Sequence, residues 1–293
     1  MLDYFTHKFN PNSITLVMTI LIKNEVDIIE ANIKTHASLG VDAFVIMDNG
    51  STDGTREILS KLQNEYDITI VDEHSKIIQK KFMTRLAFIA KKKYSPDWII
   101  NNDADEFWIP NKNKSLKDCI KFKGGVLQVQ RTNMLPIIDS KIDNNIWSSS
   151  VYEVKNQVNY KSSFDDEASI LLGQVSRKVM TNPYGLFKIN TGNHSAEHIA
   201  FWKKHQSEDL HIYHYPIRSY EQFYNRVKTR KKVLDKYPDA KLGNHEKRWK
   251  KMFENGTLEI EYDKFLFDSK EIKTLEKAGI VVENRLPSKT IIR

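Results

Sequence analysis

The chain has 293 residues, 40% apolar and 28% charged, a balance that excludes disordered and fibrous classes and fits an ordinary globular protein. Its net charge of +7 leaves nucleic acid, an anionic membrane surface and anionic small molecules such as nucleotides as partner classes, beside a plain solvated lysine surface. One cysteine, Cys119, excludes an internal disulfide framework and a cysteine-cluster zinc site and fits a reducing, cytoplasmic setting; no apolar run approaches a membrane span, and "MLDYFTHKFNPNS" lacks the features of a signal peptide.

In chain order, "ITLVMTILI" (14–22) is apolar throughout and β-branched, as a strand covered on both faces should be. Val26, Ile29, Ile33 and Ala37 follow at helical spacing, and Gly40 is placed to end that helix. "DAFVIMD" (42–48) reads as a second strand, "NGSTDGT" as a turn, "REILSKLQ" as a helix and "ITIVD" (68–72) as a third strand. A helix carrying Ile78, Phe82, Leu86 and Ile89 on one face leads to a fourth strand, "DWIIN" (97–101). This βαβαβαβ order predicts a mainly parallel sheet with right-handed crossovers. Beyond Pro110 the pattern weakens. "SLKDCIKF" reads as a short helix, "GVLQVQR" (125–131) as a strand, residues 134 to 200 as strands and long loops, and the basic "RSYEQFYNRVKTRKKVLDKY" and "SKEIKTLEKAGI" as helices.

Parallel sheets bind ligands at the carboxyl ends of their strands. Here each such end carries polar or acidic residues: Asn24 and Glu25, then Asp48 and Asn49, then Asp72, Glu73 and His74, then Asp103, Asp105 and Glu106 in "IINNDADEFWIP". Three acids at the mouth of a buried strand repel one another, so something cationic should neutralise them. A divalent cation does so with oxygen ligands, and Asp-x-Asp at a strand end offers two converging carboxylates.

"IKNEVDIIEANIKTHASLGVDAFVIMDNGSTDGT" followed by "DWIINNDADEFW" resembles glycosyltransferase family 2, in the branch whose aspartate motif runs into Glu-Phe and which carries a later His-Tyr…Arg-Ser segment, here "HIYHYPIRSYEQF". The resemblance covers residues 14–110 well and implies a GT-A fold: Rossmann-like α/β, a mainly parallel sheet flanked by helices, with a helical basic C-terminal segment. The expected organisation is a GT-A domain over 1–217, its nucleotide-sugar half at 14–110 and its acceptor half at 111–217, and a helical extension over 218–293. The resemblance further implies Mn²⁺ or Mg²⁺ bound by Asp105, with Asp103 on the ribose or the metal and His214 completing the site. Asp48 and Asn49, in the segment near the nucleotide base, and Glu25 are nucleoside candidates; Asn49 stands where many members have a second aspartate. Arg85, Lys178 and Arg218 are candidates for the diphosphate or an anionic acceptor, though each taken singly is more readily explained as a solvated base.

Inverting transfer needs a base for the acceptor hydroxyl. The candidates are Glu197 and His194 in "TGNHSAEH", and Asp166 in "DDE". His194 and His198, spaced i, i+4, suit zinc only on a helix, and Gly192 and Asn193 argue for a loop there. Trp108 would stack on a sugar or fill the core. The expected function is metal-dependent transfer of a sugar from a nucleotide-diphosphate donor, UDP by family frequency, to a saccharide or glycolipid acceptor in surface polysaccharide or lipopolysaccharide synthesis. The expected location is cytoplasmic, with peripheral contact at the inner face of an anionic membrane and no nucleic-acid partner. The rival classes are a metal-dependent phosphohydrolase or nucleotidyltransferase, which should turn over without a sugar acceptor, and a non-catalytic basic binding module, which should be indifferent to chelator.

Overall fold

The computed structural model describes residues 2–75, 79–112, 114–138, 150–157, 169–236 and 244–292. In chain order the elements are α1 (Leu2–Thr6), β1 (Leu16–Ile22), α2 (Ile29–Ser38), β2 (Ala43–Asp48), α3 (Thr55–Leu62), β3 (Ile68–Asp72), α4 (Gln79–Tyr94), β4 (Trp98–Asn102), β5 (Glu106–Pro110) and β6 (Val126–Leu135). They continue with β7 (Tyr152–Val154), β8 (Lys178–Thr181), β9 (Leu186–Ile189), β10 (Ala196–His198), β11 (Lys204–His214), α5 (Tyr220–Lys236), α6 (Asn244–Glu254), α7 (Leu258–Asp263), α8 (Ser269–Lys277), β12 (Val281–Glu283) and α9 (Leu286–Thr290). The chain divides into two compact units. The first comprises Met1–Arg131, Ser176–Tyr213 and Thr290–Arg293, and the second Thr132–Val175 and His214–Lys289.

In the first unit the strands run β6-β8-β4-β1-β2-β3. β1 pairs in parallel with β2 and β4, and β2 with β3, whereas β8 is antiparallel to both β4 and β6. The expected α/β class with a mainly parallel sheet is the one observed. The sheet is apolar because both its faces are buried: all of Leu16, Val17, Met18 and Ile20 are inaccessible. Pleat alternation sends Val17, Ala43, Val45, Met47 and Ile99 to one face. There the stripe Phe82, Met83, Leu86, Ala87 and Ala90 of α4 covers them. Helix α2 ends where predicted: Gly40 takes φ +104°, a left-handed conformation that costs glycine little. Ile78, expected on the α4 face, lies outside the described residues.

Parallel register brings Ile22, Asp48 and Asp72 side by side, with Asn102 ending β4 on the same edge. The polar loops after the strands are therefore neighbours, which strand order alone does not guarantee. Two segments differ from expectation. "SLKDCIKF" makes only a single 3-10 turn at Lys117–Cys119, and residues after the aspartates form β5, which pairs with β11. The "TGNHSAEH" histidines lie on a loop and the β9–β10 hairpin, not on one helix face.

In the second unit the end of β6 pairs with β7, and β7 with β12. Residues 132–175, expected with the first domain, group with the C-terminal helices, and the break before those helices falls at 213/214. Phe223 and Val227 of α5, Trp249 of α6, Tyr262 of α7 and Ile272 of α8 build this unit's core with Phe265. The Glu261 carboxylate, buried with Arg248, accepts the Trp249 indole N–H at 2.9 Å. Asp268 caps α8 by accepting from Lys270 and Glu271 N–H, while Glu271 accepts from Asp268 N–H at 2.8 Å, a reciprocal cap that stops the chain entering the helix early.

Candidate active site

The turn "DADEFW" is held from beneath by a buried amide network. The Asn32 side-chain amide donates to the carbonyls of Ala104 (2.8 Å) and Glu106 (2.9 Å), and that of Asn102 donates to Glu106 O at 3.2 Å. His36 accepts the Trp108 backbone N–H on Nε2 at 3.0 Å, so Nδ1 carries the proton and donates to Asn32 O at 2.8 Å. Complete burial drives the His36 pKa down to about 4, which keeps the ring neutral and this tautomer fixed. The Trp108 indole donates to Asn102 Oδ1 at 2.8 Å and is wholly buried, so Trp108 fills the core.

Above this network, protein cations pair with Glu106 and Asp103. Glu106 is inaccessible, with Arg131 Nη1 at 2.6 Å and Lys178 Nζ at 3.1 Å from its Oε1. Lys178, 1% exposed, also bridges to Asp103 Oδ2. Asp103 Oδ1 accepts the Asn193 amide at 3.1 Å. Burial raises the Asp103 pKa, Lys178 opposes that shift, and Glu106 and Asp105 add to it. The Lys178 ammonium is penalised by burial, yet Asp103 and Glu106 outweigh this and hold its pKa above the ordinary value. Asp105, half-buried in the turn between β4 and β5, is the third acid beside this cluster, close enough for its charge to act on Asp103.

Asn193 reaches Asp103 from a strained loop. Its φ is +57° and Gly192 before it has φ +74°. A Cβ on Gly192 would lie 2.4 Å from His194 Nε2, so only glycine admits the imidazole there. His194 Nδ1 lies 2.8 Å from Arg177 O; the carbonyl must accept, which leaves Nε2 unprotonated. Burial lowers the His194 pKa, and the charges of Lys178 and Arg131 lower it further, past the opposing backbone hydrogen bond.

The loops after β1 and β2 are laced together. Asp48 Oδ1 accepts from Ser51 N (2.9 Å) and Oγ (2.7 Å), Asn24 N donates to Ser51 Oγ at 2.9 Å, and Glu25 N to Thr55 Oγ1 at 2.9 Å. The Asn49 amide donates to Glu73 O (2.9 Å) and Ser75 O (3.0 Å), fastening the β2 end to the β3 end. Arg85 Nη1 meets Glu73 Oε2 at 2.9 Å, and Arg56 meets Asp72 at 2.9 Å.

Of the residues singled out from sequence, the first unit gathers Asp103, Asp105, Lys178 and His194 around the end of β4, and Glu25, Asp48, Asn49 and Arg85 along the ends of β1–β3. Glu197 stands on the exposed side of the β9–β10 hairpin, ion-paired with Lys188. Arg218 and His214 belong to the second unit: Arg218 is buried, donating to Tyr215 O at 3.3 Å, and His214 Nδ1 lies 2.7 Å from Asn133 Oδ1. Asp166 lies outside the described residues. Sequence reasoning missed Arg131 and Asn193. Arg131 carries no local signal, being one base at the end of an alternating strand; the Gly-Asn pair of Asn193 signals a left-handed loop but not its target.

The oxygen-only donor set at the aspartates suits Mg²⁺ or Mn²⁺. Asp105 is the better placed ligand, because both Asp103 oxygens already accept from Lys178 and Asn193 and the ammonium's charge disfavours a second cation beside it.

The family model described as "Glycosyl transferase family 2" matches residues 19–134, a span that begins within β1 and holds β2, β3, β4 and the Asp103–Glu106 turn. No curated protein matches the chain. Among solved structures, residues 1–349 of S. aureus TarS are similar at 13% identity, over 82% of this chain and 71% of that one, with a TM-score of 0.41. The same protein in complex with UDP-GlcNAc is similar at 13% identity, over 82% and 72%, with a TM-score of 0.43. Glucosyl-3-phosphoglycerate synthase from Mycobacterium tuberculosis, in complex with Mn²⁺, UDP and phosphoglyceric acid, is similar at 20% identity over 33% of this chain and 34% of that one, with a TM-score of 0.25.

Proposed function

From a chain whose residues 19–134 form a glycosyl transferase family 2 domain, and which is a glycosyltransferase on that ground, we propose the following reaction. A sugar passes from a nucleotide-diphosphate donor, UDP in the first instance, to a hydroxyl of a saccharide or glycolipid acceptor of a surface polysaccharide or lipopolysaccharide, with inversion and with Mn²⁺ or Mg²⁺ bound. The observation that carries this reading is the Asp103–Glu106 turn. It is anchored at the carboxyl end of a parallel strand, where Arg131 and Lys178 pair with Glu106 and Asp103, and Asp105 stands half-buried between β4 and β5.

Each residue then has a task. The laced loops after β1 and β2 present Asp48, Asn49 and Glu25 towards the nucleoside, and the Asn49 carbonyl oxygen suits a uracil N–H. A divalent cation on Asp105 supplies positive charge against the departing diphosphate. Lys178 fixes Asp103 and stays beneath the ligand. His194, neutral and with Nε2 unprotonated, takes the proton of the acceptor hydroxyl as its oxygen attacks the sugar carbon and the bond to the diphosphate breaks. Among the candidate bases it is favoured over Glu197, whose carboxylate is engaged by Lys188.

Calorimetric titration with UDP, GDP and CDP, with and without Mn²⁺, tests this reading on wild type and Asp105→Ala. Wild type should bind one nucleotide in a metal-dependent manner, and Asp105→Ala should lose that binding while still unfolding cooperatively. Undiminished Mn²⁺-dependent binding by Asp105→Ala would remove the centre of the proposal. Turnover of the nucleotide-sugar without acceptor at the full rate would favour the hydrolase class.

A further inference from the structure

We propose that the edge of the first unit formed by α1 and the turn after β10 is a peripheral binding site for an anionic lipid bilayer. Phe201 and Trp202, in that turn, are 69% and 61% exposed, and Phe5 of α1 is 65% exposed; no other large apolar side chain among the described residues is as open. Nothing in the candidate active site uses them.

They lie on one edge because their supports interlock. Tyr4, next to Phe5, is buried edge-on against the His198 ring at 5.5 Å and against Gly124, where an added Cβ would come within 2.8 Å of it. The backbone after Trp202 is fixed to the same segment: Val126 N donates to Lys203 O at 3.1 Å, and a Cβ on Gly125, whose φ is +106°, would strike that oxygen at 2.3 Å. Phe122 stacks on His205 at 3.6 Å. Phe201 and Trp202 brace each other edge-to-face at 5.0 Å while both stay largely exposed.

Charge selects the partner. Lys8, Lys92, Lys123 and Lys204 are exposed and Lys203 half-buried. Lys203 and Lys204 directly follow Trp202, Lys8 stands three residues after Phe5, Lys123 adjoins the Gly124 that meets Tyr4, and Lys92 adjoins the Lys91 that pairs with Asp3. The acids at this edge are answered locally, Asp3 by Lys91 and Asp97 by His7 at 2.8 Å. Aromatic rings flanked by lysines match a membrane interface, where the rings enter the headgroup region and long basic side chains stay at its polar surface. Each lysine adds attraction to anionic lipid worth about fivefold in partitioning. A groove-binding partner would instead need a concave, mostly shielded apolar lining. The edge lies by Asp97, at the start of β4, whereas Asp103 follows the end of that strand. A bilayer bound here leaves the candidate active site uncovered.

The test is co-sedimentation of the full chain with vesicles of phosphatidylcholine alone and of phosphatidylcholine with phosphatidylglycerol. The chain should bind the anionic vesicles about tenfold or more better than the neutral ones, with a blue shift of tryptophan emission. Phe201→Ser with Trp202→Ser should reduce that binding by about tenfold or more, and separately Lys203→Glu with Lys204→Glu by at least about twenty-five-fold, fivefold for each lysine lost. UDP affinity and the unfolding transition should stay at wild-type values, because these side chains bury little. Trp202→Phe should keep the binding and lose the blue shift. The proposal falls if neither vesicle binds, if the Phe201→Ser, Trp202→Ser variant binds as wild type does, or if a soluble oligosaccharide alone shifts the emission while vesicles do not.

Discussion

Lys178→Met isolates the contribution of one buried cation. At 3.1 Å from Glu106 Oε1, the ammonium gains about 5 kcal/mol at an effective dielectric of 20, and it gains a comparable amount from Asp103. Desolvation of the buried ions costs several kcal/mol each, so the intact cluster adds little net stability. Removing a single partner is different, because the carboxylates stay buried while their shared counter-charge is gone. Glu106 keeps Arg131, but among the described residues Asp103 keeps only the Asn193 amide. The expected cost is about 3–5 kcal/mol, the usual range for breaking a buried pair. Equilibrium urea unfolding reads it directly. Asp103→Asn in the Lys178→Met background should recover at least about 1 kcal/mol, because the stranded charge disappears; this is the coupling of a double-mutant cycle. Lys178→Arg, which keeps the charge, should sit nearer wild type. The reasoning is refuted if Lys178→Met unfolds within about 1 kcal/mol of wild type while losing UDP affinity. Lys178 would then face the ligand, as a diphosphate contact.

Two further outcomes follow from the same region. His36 is neutral in the fold with a pKa of about 4 against an ordinary 6.5, so the unfolded chain binds the extra proton between those values. Its contribution of about 3 kcal/mol is therefore full above pH ~6.5 and is lost as pH falls towards ~4. Unfolding measured across that window should steepen in wild type and flatten in His36→Gln; equal slopes would mean that the ring is not buried neutral. Asn193→Gly removes the hydrogen bond to Asp103, but it also removes a buried amide oxygen that has no hydrogen-bond partner among the described residues and relieves a left-handed asparagine. Stability should thus stay within about 1 kcal/mol of wild type while metal-dependent UDP affinity falls by about tenfold or more, the value of one charge-assisted hydrogen bond. Unchanged affinity would leave Asn193 a loop residue and nothing more.

The alternation of apolar strands and 3.6-period helices over residues 14–102 is a local property of the chain, and it determined the parallel sheet and the edge on which the polar loops collect. Gly40 announced its helix end for the same reason: the left-handed conformation it supplies is required at one position and cheap there. Acids after the fourth strand likewise had to be neutralised, whatever did it. What did it was decided only by tertiary structure. The counter-charge on Asp103 and Glu106 comes first from Lys178 and Arg131, on strands β8 and β6, which reach the aspartates through antiparallel pairing rather than through any sequence spacing. From sequence, Trp108 read equally well as a sugar contact or as core, and Asn49 as a nucleoside contact. Their amide and indole donors found backbone and side-chain partners inside the first unit, a matter of which groups lie within 3 Å once the sheet closes. The grouping of residues 132–175 with the C-terminal helices was equally hidden, because their short strands carry no periodic signal and their partners lie about a hundred residues further on. Periodicity reports which face of an element is buried; it says nothing of which distant side chain will be buried against it, and a charge cluster is settled by that second question.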